Sequence, residues 1–317
     1  MQKNNRHLHR EEREVIYRMN QAGKSQNEIG QAIGFSQSTV SKELSRNRGM
    51  RGYRPVHAQR LSDTRKADKR ARGKVLEGNV LLEVERRLRL DHSPEQVSGA
   101  MLMEGLGEVS HETLYQHISL DKKAGGNLYT HLRINSKRRY RRRSKAGRSK
   151  IPNRVGIEER PASVENLTRY GDWEVDLIEG AKGTGYVLSL YERKTMTARL
   201  AKLETKGAEE TARAIIAELS GHRARTLTYD NGAEFSRHLK VSEALGARGY
   251  FCNPYSSWEK GGVENLNGLV RQYLPKGSSF ADLTQEQLKD IEHKLNTRPR
   301  KSMNFTTPDE LKHKIAA

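Results

Sequence analysis

The chain has 317 residues, with 58 Lys and Arg against 39 Asp and Glu, a formal charge of +19. That length fits about two domains with room for a small extra module. No run of about 18 apolar residues exists, which excludes a transmembrane helix, and the polar start Met1-Gln2-Lys3-Asn4-Asn5-Arg6 is unlike a secretory signal. The only cysteine, Cys252, excludes an internal disulfide framework and an all-cysteine zinc site and fits a reducing cytosol.

The charge is uneven. Residues 1–150 hold 33 Lys and Arg against 16 Asp and Glu, a net of +17, and the remainder is near neutral. This is the footprint of a region that binds a polyanion, followed by a different kind of domain. Residues 10–21 predict a helix with Val15, Ile16 and Met19 on one face and Gly23 as its stop. Ser25 to Glu28 is a capping box that opens a second helix, with Ile29 and Ile33 inward and Gly34 at its end. Ser36 caps a third helix, Gln37 to about Asn47, with Val40 and Leu44 inward. Three such helices make a helix-turn-helix domain over residues 1–50. Its outward face offers Gln37, Ser38, Ser41, Lys42 and Arg46, types suited to base edges and phosphates.

Residues 51–78 are basic, poor in apolar side chains, and read as a linker. The layout then repeats over 79–135. Val80, Leu81, Val84 and Leu88 align on one helix. Ser93-Pro94-Glu95-Gln96 starts the next, which carries Val97, Met101 and Leu102. Ser110 caps a third from His111 to about Ser119. This second helix-turn-helix-like unit brings His111 and Thr113 forward as further DNA contacts. His111-Glu112 is not a zinc-protease helix, because the next histidine is His117 and that geometry needs a spacing of four. Residues 136–165 read as a second basic linker. Within Lys137–Lys145 seven of nine residues are cationic, so Arg138, Arg139, Arg141, Arg142 and Arg143 are candidate phosphate contacts.

From residue 166 the pattern changes. Strands are predicted at 173–178, 186–191, 197–203, 226–229 and 249–252, and helices at 207–219, 233–245, 258–274 and 284–296. Strands first, then strand and helix in alternation, predict a mixed α/β sheet flanked by helices over residues 166–317. Asp176 lies within the first strand, Asp230 closes the fourth, and Glu264 sits in a helix 34 residues further on. Carboxylates from two strand ends and one helix can converge at a sheet edge and suit Mg²⁺ or Mn²⁺. Two such ions would clamp the oxygens of a phosphoryl displacement. The same residues have plainer readings: Asp230 before Asn231-Gly232 as a turn former, Glu264 as a surface helix residue. Glu174 is either a fourth ligand or an exposed strand residue, and Glu259 rivals Glu264. Lys260, Arg271 and Lys276 flank the third acidic segment as candidate phosphate contacts or as solvated side chains.

Trp173-Glu174-Val175-Asp176-Leu177-Ile178, Tyr229-Asp230-Asn231-Gly232-Ala233-Glu234-Phe235 and the run from Pro254 to Gly268 resemble the three acidic motifs of DDE transposases of the insertion-sequence-30 family. Arg271–Gly277, Leu295–Lys301, Thr39–Leu44 and Val109–Tyr115 are similar to further signatures of that family, so the resemblance spans nearly the whole chain. Val175 stands where the family often has Gly, and Val263 where it often has a polar residue. The resemblance implies an α/β RNase H-like catalytic core preceded by two all-α helix-turn-helix domains. It implies Asp176, Asp230 and Glu264 as catalytic ligands of two Mg²⁺ or Mn²⁺ ions. It further implies double-stranded DNA partners (terminal inverted repeats and target DNA), and strand cleavage followed by attack of the freed 3′-OH on a second phosphodiester. Two-ended DNA work suggests a homodimer or higher oligomer, at the nucleoid of a prokaryotic cytoplasm and not at a membrane. The alternatives are a DNA-binding repressor with an inactive nuclease-like half, or a ribonuclease built on the same sheet.

Overall fold

In the computed structural model, which describes residues 7–71, 76–133, 151–254 and 256–316, the chain divides between Leu76 and Glu77 into two bodies. The first starts with α1 (Arg10–Gln21), capped by His9 and Glu12, then α2 (Gln26–Ile33) and α3 (Gln37–Arg46). The capping box of Ser25 and Glu28 forms as the residue types require, and the Ser36 hydroxyl accepts from the Thr39 amide. Ile16, Ile29, Ile33 and Val40 close the core between the three helices. One inward position of α1 is not apolar. Arg13 is buried and Val15 faces solvent, because Arg13 reaches across to Glu43 of α3 at 2.8 Å.

The stretch expected to be a linker is folded. β1 (Arg48–Gly49) and β2 (Gly52–Tyr53) form a short antiparallel hairpin, and α4 (Pro55–Ala71) follows. Tyr53 and Ala58 are buried in the same core as α1 to α3. Tyr53 Oη donates to Glu43, and Arg13 donates to Gln59 of α4. A basic, apolar-poor composition did not prevent a helix, since Pro55 suits a first helical position and the small Ala58 packs into the core.

The second body opens with α5 (Gly78–Arg89), α6 (Pro94–Met103) and α7 (His111–Lys123), which runs four residues beyond the expected end. Val84, Leu88, Val97, Met101, Leu114 and Ile118 are buried between them, while Leu102, expected inward, is exposed. After the short α8 (Ala162–Glu165) come β3 (Asp172–Glu179), β4 (Tyr186–Glu192), β5 (Ala198–Leu203), α9 (Ala208–Leu219), β6 (Thr226–Tyr229), α10 (His238–Leu245) and β7 (Arg248–Phe251). The chain ends with α11 (Gly261–Tyr273), α12 (Gln285–Asn296) and α13 (Pro308–Ala316). The five strands lie in the order β5-β4-β3-β6-β7, antiparallel from β5 to β3 and parallel from β3 to β7. This is the expected mixed sheet flanked by helices. Trp173 and Val175 pack with α9 and α10 on one face, and Ile178 packs with α11 and α12 on the other. The period of two therefore turns Glu174 and Asp176 toward α11.

The second helical unit is not separate from the sheet, as the expected boundaries at 135 and 166 implied. Both lie in the body that starts at Glu77. Tyr273 Oη donates to Asp91 at 3.0 Å, Gln96 donates to the Pro299 carbonyl at 2.8 Å, and Gln272 donates to the His131 carbonyl. Gly99 of α6 lies against the Phe305 ring so closely that an added Cβ would overlap it at 2.0 Å.

Candidate functional site

Strand register brings the first two carboxylates together. β3 and β6 are parallel, with Glu174 opposite Thr228. Two residues further along each chain stand Asp176 and Asp230, side by side where β6 gives way to a turn. The Asp230 carboxylate accepts from the Gly232 amide at 2.8 Å, so its turn-forming role and its place in the site coexist.

Lys260 joins the pair. Its ammonium lies 3.5 Å from Asp176 and 3.4 Å from Asp230, and donates to the Val175 carbonyl at 2.9 Å. The residue is only 6% exposed. A phosphate contact or a solvated side chain was expected here; the ammonium is instead buried beside the two aspartates. Burial pushes the Asp176 carboxyl above its usual range, Lys260 opposes the shift and Asp230 reinforces it. Burial alone would lower the Lys260 ammonium, but Asp176 and Asp230 outweigh it and hold it above its usual range. Asn267 of α11 completes the floor: its amide donates to Asp176 at 2.7 Å and its carbonyl accepts from Ser189 at 2.7 Å. The reading from sequence missed Asn267. Its only signal is its spacing, seven residues beyond Lys260 and three beyond Glu264.

Glu174 is not an exposed strand residue. It is buried, bonded to Arg193 at 2.5 Å, and accepts from the Val263 amide at 2.8 Å. An acceptor for a free amide in the first turn of α11 suits the positive end of a helix. It anchors that end on β3. Gly262 is required there, because a Cβ would meet the Tyr191 ring at 2.2 Å and the Glu174 carboxylate at 2.9 Å. Glu259, the rival to Glu264, is turned away toward Asn253, whose backbone amide it accepts at 2.7 Å.

Glu264 itself is exposed on the first turn of α11. It precedes Asn267 by three residues and Arg271 by seven, so all three share one flank of the helix. Among the described residues no three His, Cys, Asp or Glu side chains stand close enough to hold one ion. The structure thus brings together Asp176 and Asp230 and leaves Glu264 one helical turn from Asn267. Both aspartates line an open cleft of about 530 Å³, together with Glu234 and Asn267. Lys182, Lys206, Arg271 and Lys276 also line it. An acidic floor with cationic walls fits a hard divalent cation held by oxygen donors and a polyanion above it. The Arg271 guanidinium donates to the Glu179 and Leu274 carbonyls from its place in that wall.

In the first body the α3 surface is built on an internal anchor. The buried Glu43–Arg13 pair fixes α3, and Ser38, Lys42 and Arg46 are left exposed with Ser41 half-buried. Gln37 donates to Gln26 of α2, and the Ser38 hydroxyl shares a hydrogen bond with Ser36. On α7, His111 is exposed, whereas the Thr113 hydroxyl is engaged with the Ser110 cap. Arg138, Arg139, Arg141, Arg142 and Arg143 lie outside the described residues. No helix among the described residues is long and apolar enough to cross a membrane.

Residues 4–47 match the model of a helix-turn-helix domain. The chain is 42% identical over 310 residues to the transposase for insertion sequence element IS4351 of Bacteroides fragilis, covering 96% of this chain and 95% of that one. It is 36% identical over 304 residues to the transposase for IS1086 of Cupriavidus metallidurans, covering 91% and 89%. It is 34% identical over 320 residues to the transposase for IS30A of Escherichia coli, covering 96% and 83%.

Proposed function

The chain belongs to the insertion-sequence-30 family of transposases, and on that premise we propose that it cuts and joins DNA at a divalent-metal site formed by Asp176, Asp230 and Glu264. The carrying observation is the meeting of Asp176 and Asp230, 54 residues apart in sequence, at one cation in a cleft with basic walls. The sheet and its flanking helices support an RNase H-like core. The helix-turn-helix match supports recognition of the element's terminal inverted repeats by the α3 face.

Asp176 and Asp230 would hold Mg²⁺ or Mn²⁺, with Glu264 reaching in from the same flank of α11 that carries Asn267. When bound, the metal supplies activation of an oxygen nucleophile and neutralisation of charge at the phosphate. The chain's own residues orient and screen. Asn267 fixes the Asp176 carboxylate by a donated hydrogen bond, and Glu174 sets the start of α11, so the ligand-bearing flank is held against β3. Lys182, Lys206, Arg271 and Lys276 draw the phosphate backbone toward the floor. The order of events would be cleavage by water at the element end, then attack of the released 3′-OH on target DNA.

The repressor alternative is not favoured, because the relatives matched over the length of the chain are transposases. The test is a labelled element-end duplex incubated with protein and Mg²⁺. Nicking and joining are expected from the wild type. Asp176→Asn, Asp230→Asn and Glu264→Gln should each lose both while still shifting the duplex in a gel. Full activity in any one of them removes that residue from the site.

A further inference from the structure

The notch between Asp176 and Asp230 already contains a positive charge. The Lys260 ammonium has three donors, and three oxygens surround it: the Val175 carbonyl at 2.9 Å, Asp230 at 3.4 Å and Asp176 at 3.5 Å. The side chain enters from the 3₁₀ turn Ser257–Lys260, immediately before α11, and is buried. Two carboxylates gathered at neighbouring strand ends repel each other unless a cation lies between them. An ion held by both competes with the ammonium for the same two carboxylates, and two cations gathered there repel each other.

We propose that Lys260 is a built-in counter-cation: it holds the two aspartates together in the metal-free protein, and an incoming divalent ion must displace its ammonium from them. The inference rests on the reading that Asp176 and Asp230 bind metal. It assigns Lys260 a positioning role that sets how much free ion is needed to load the site. It also accounts for a buried lysine at this place.

Mn²⁺ titration calorimetry and thermal unfolding of the full chain test it. Lys260→Met and Lys260→Gln should unfold at lower temperature than wild type without metal, as the aspartates lose their partner. They should bind Mn²⁺ about tenfold more tightly, equivalent to ~1.4 kcal/mol, and gain more thermal stability from the ion than wild type does. Asp176→Asn should lose the binding in either background. If wild type binds Mn²⁺ in an Asp176-dependent way and both Lys260 variants bind equally or more weakly, this inference is overturned and the metal reading stands. Absence of Asp176-dependent binding in wild type overturns both. If neither variant folds, lysine acylation read by mass spectrometry on wild type decides. Lys260 should be protected without metal and react several-fold faster with Mn²⁺, and unchanged reactivity overturns the proposal.

Discussion

A single carboxylate, Glu174, ties strand to helix at the site, and its removal has a calculable consequence. Glu174→Ala would leave the Arg193 guanidinium and the Val263 amide without their buried partner. Breaking a buried pair from one side costs about 3–5 kcal/mol; Arg193 keeps Glu165 as a second partner, so the low end is expected in urea unfolding. Glu174→Gln retains an acceptor for Val263 and should lose less. His92 gives a prediction in pH. Burial, with Arg298 and Arg87 nearby, lowers its imidazole to about 4, against roughly 6.5 in an unfolded chain. Between those values the unfolded chain takes up a proton that the folded chain refuses, so stability rises with pH through this window and is lost as pH falls. The loss from this one group reaches up to about 3 kcal/mol near pH 4. Unfolding free energies measured from pH 7 to 4 should fall less steeply in His92→Gln than in wild type, and parallel curves would refute the assignment.

Among the elements, legibility followed local chemistry. The Ser25 and Ser93 capping boxes and the Ser36 and Ser110 caps mark helix starts by bonds made within four residues, and all formed. The five strands announced themselves by alternation or by short apolar runs. Among the elements that escaped, with the β1–β2 hairpin, α8 and α13, was α4, because its packing onto α1 to α3 rests on few residues, chiefly Ala58, beneath a strongly charged surface. Ala58→Glu checks this. A charge forced into that core should unfold the first body and abolish DNA binding, seen by circular dichroism and gel shift, whereas a linker would absorb it silently. Glu174 also escaped, since alternation along β3 fixes the face it occupies and says nothing of a helix amide 89 residues away. Gly262→Ala probes the same junction. Its Cβ would overlap the Tyr191 ring, so the start of α11 must shift, at a cost of about 1–3 kcal/mol in stability. Divalent-ion-dependent cleavage should fall more than DNA binding does.

At the scale of the whole molecule, the docking of α5–α7 on the sheet domain was invisible in sequence. It depends on contacts between residues 132 to 206 apart, such as Arg133 with Asn265, Gln272 with the His131 carbonyl, Gln96 with the Pro299 carbonyl and Lys301 with Glu95. No periodicity or composition encodes such a pair. The hub is Asp91, whose backbone is left-handed at φ 62°. Its carboxylate meets His131 at 2.7 Å, Tyr273 at 3.0 Å and Lys294 at 3.8 Å. Because these partners come from the tail of the helical unit and from α11 and α12, Asp91 couples the unit to the helix that carries Asn267 and Glu264. If α7 holds DNA, as we propose, that DNA lies at a set offset from the aspartate pair, and loosening the hub should blur that offset. Asp91→Asn keeps a residue tolerant of the left-handed backbone while removing the charge. The expected loss is about 1–3 kcal/mol, with faster amide exchange at residues 128–133 and unchanged exchange in α2 and α3 of the first body. On an element-end duplex, its cleavage products should spread over neighbouring positions where wild type cuts at one. A single sharp product with the exchange rates raised would mean that the offset is set elsewhere, by the DNA contacts of the first body alone.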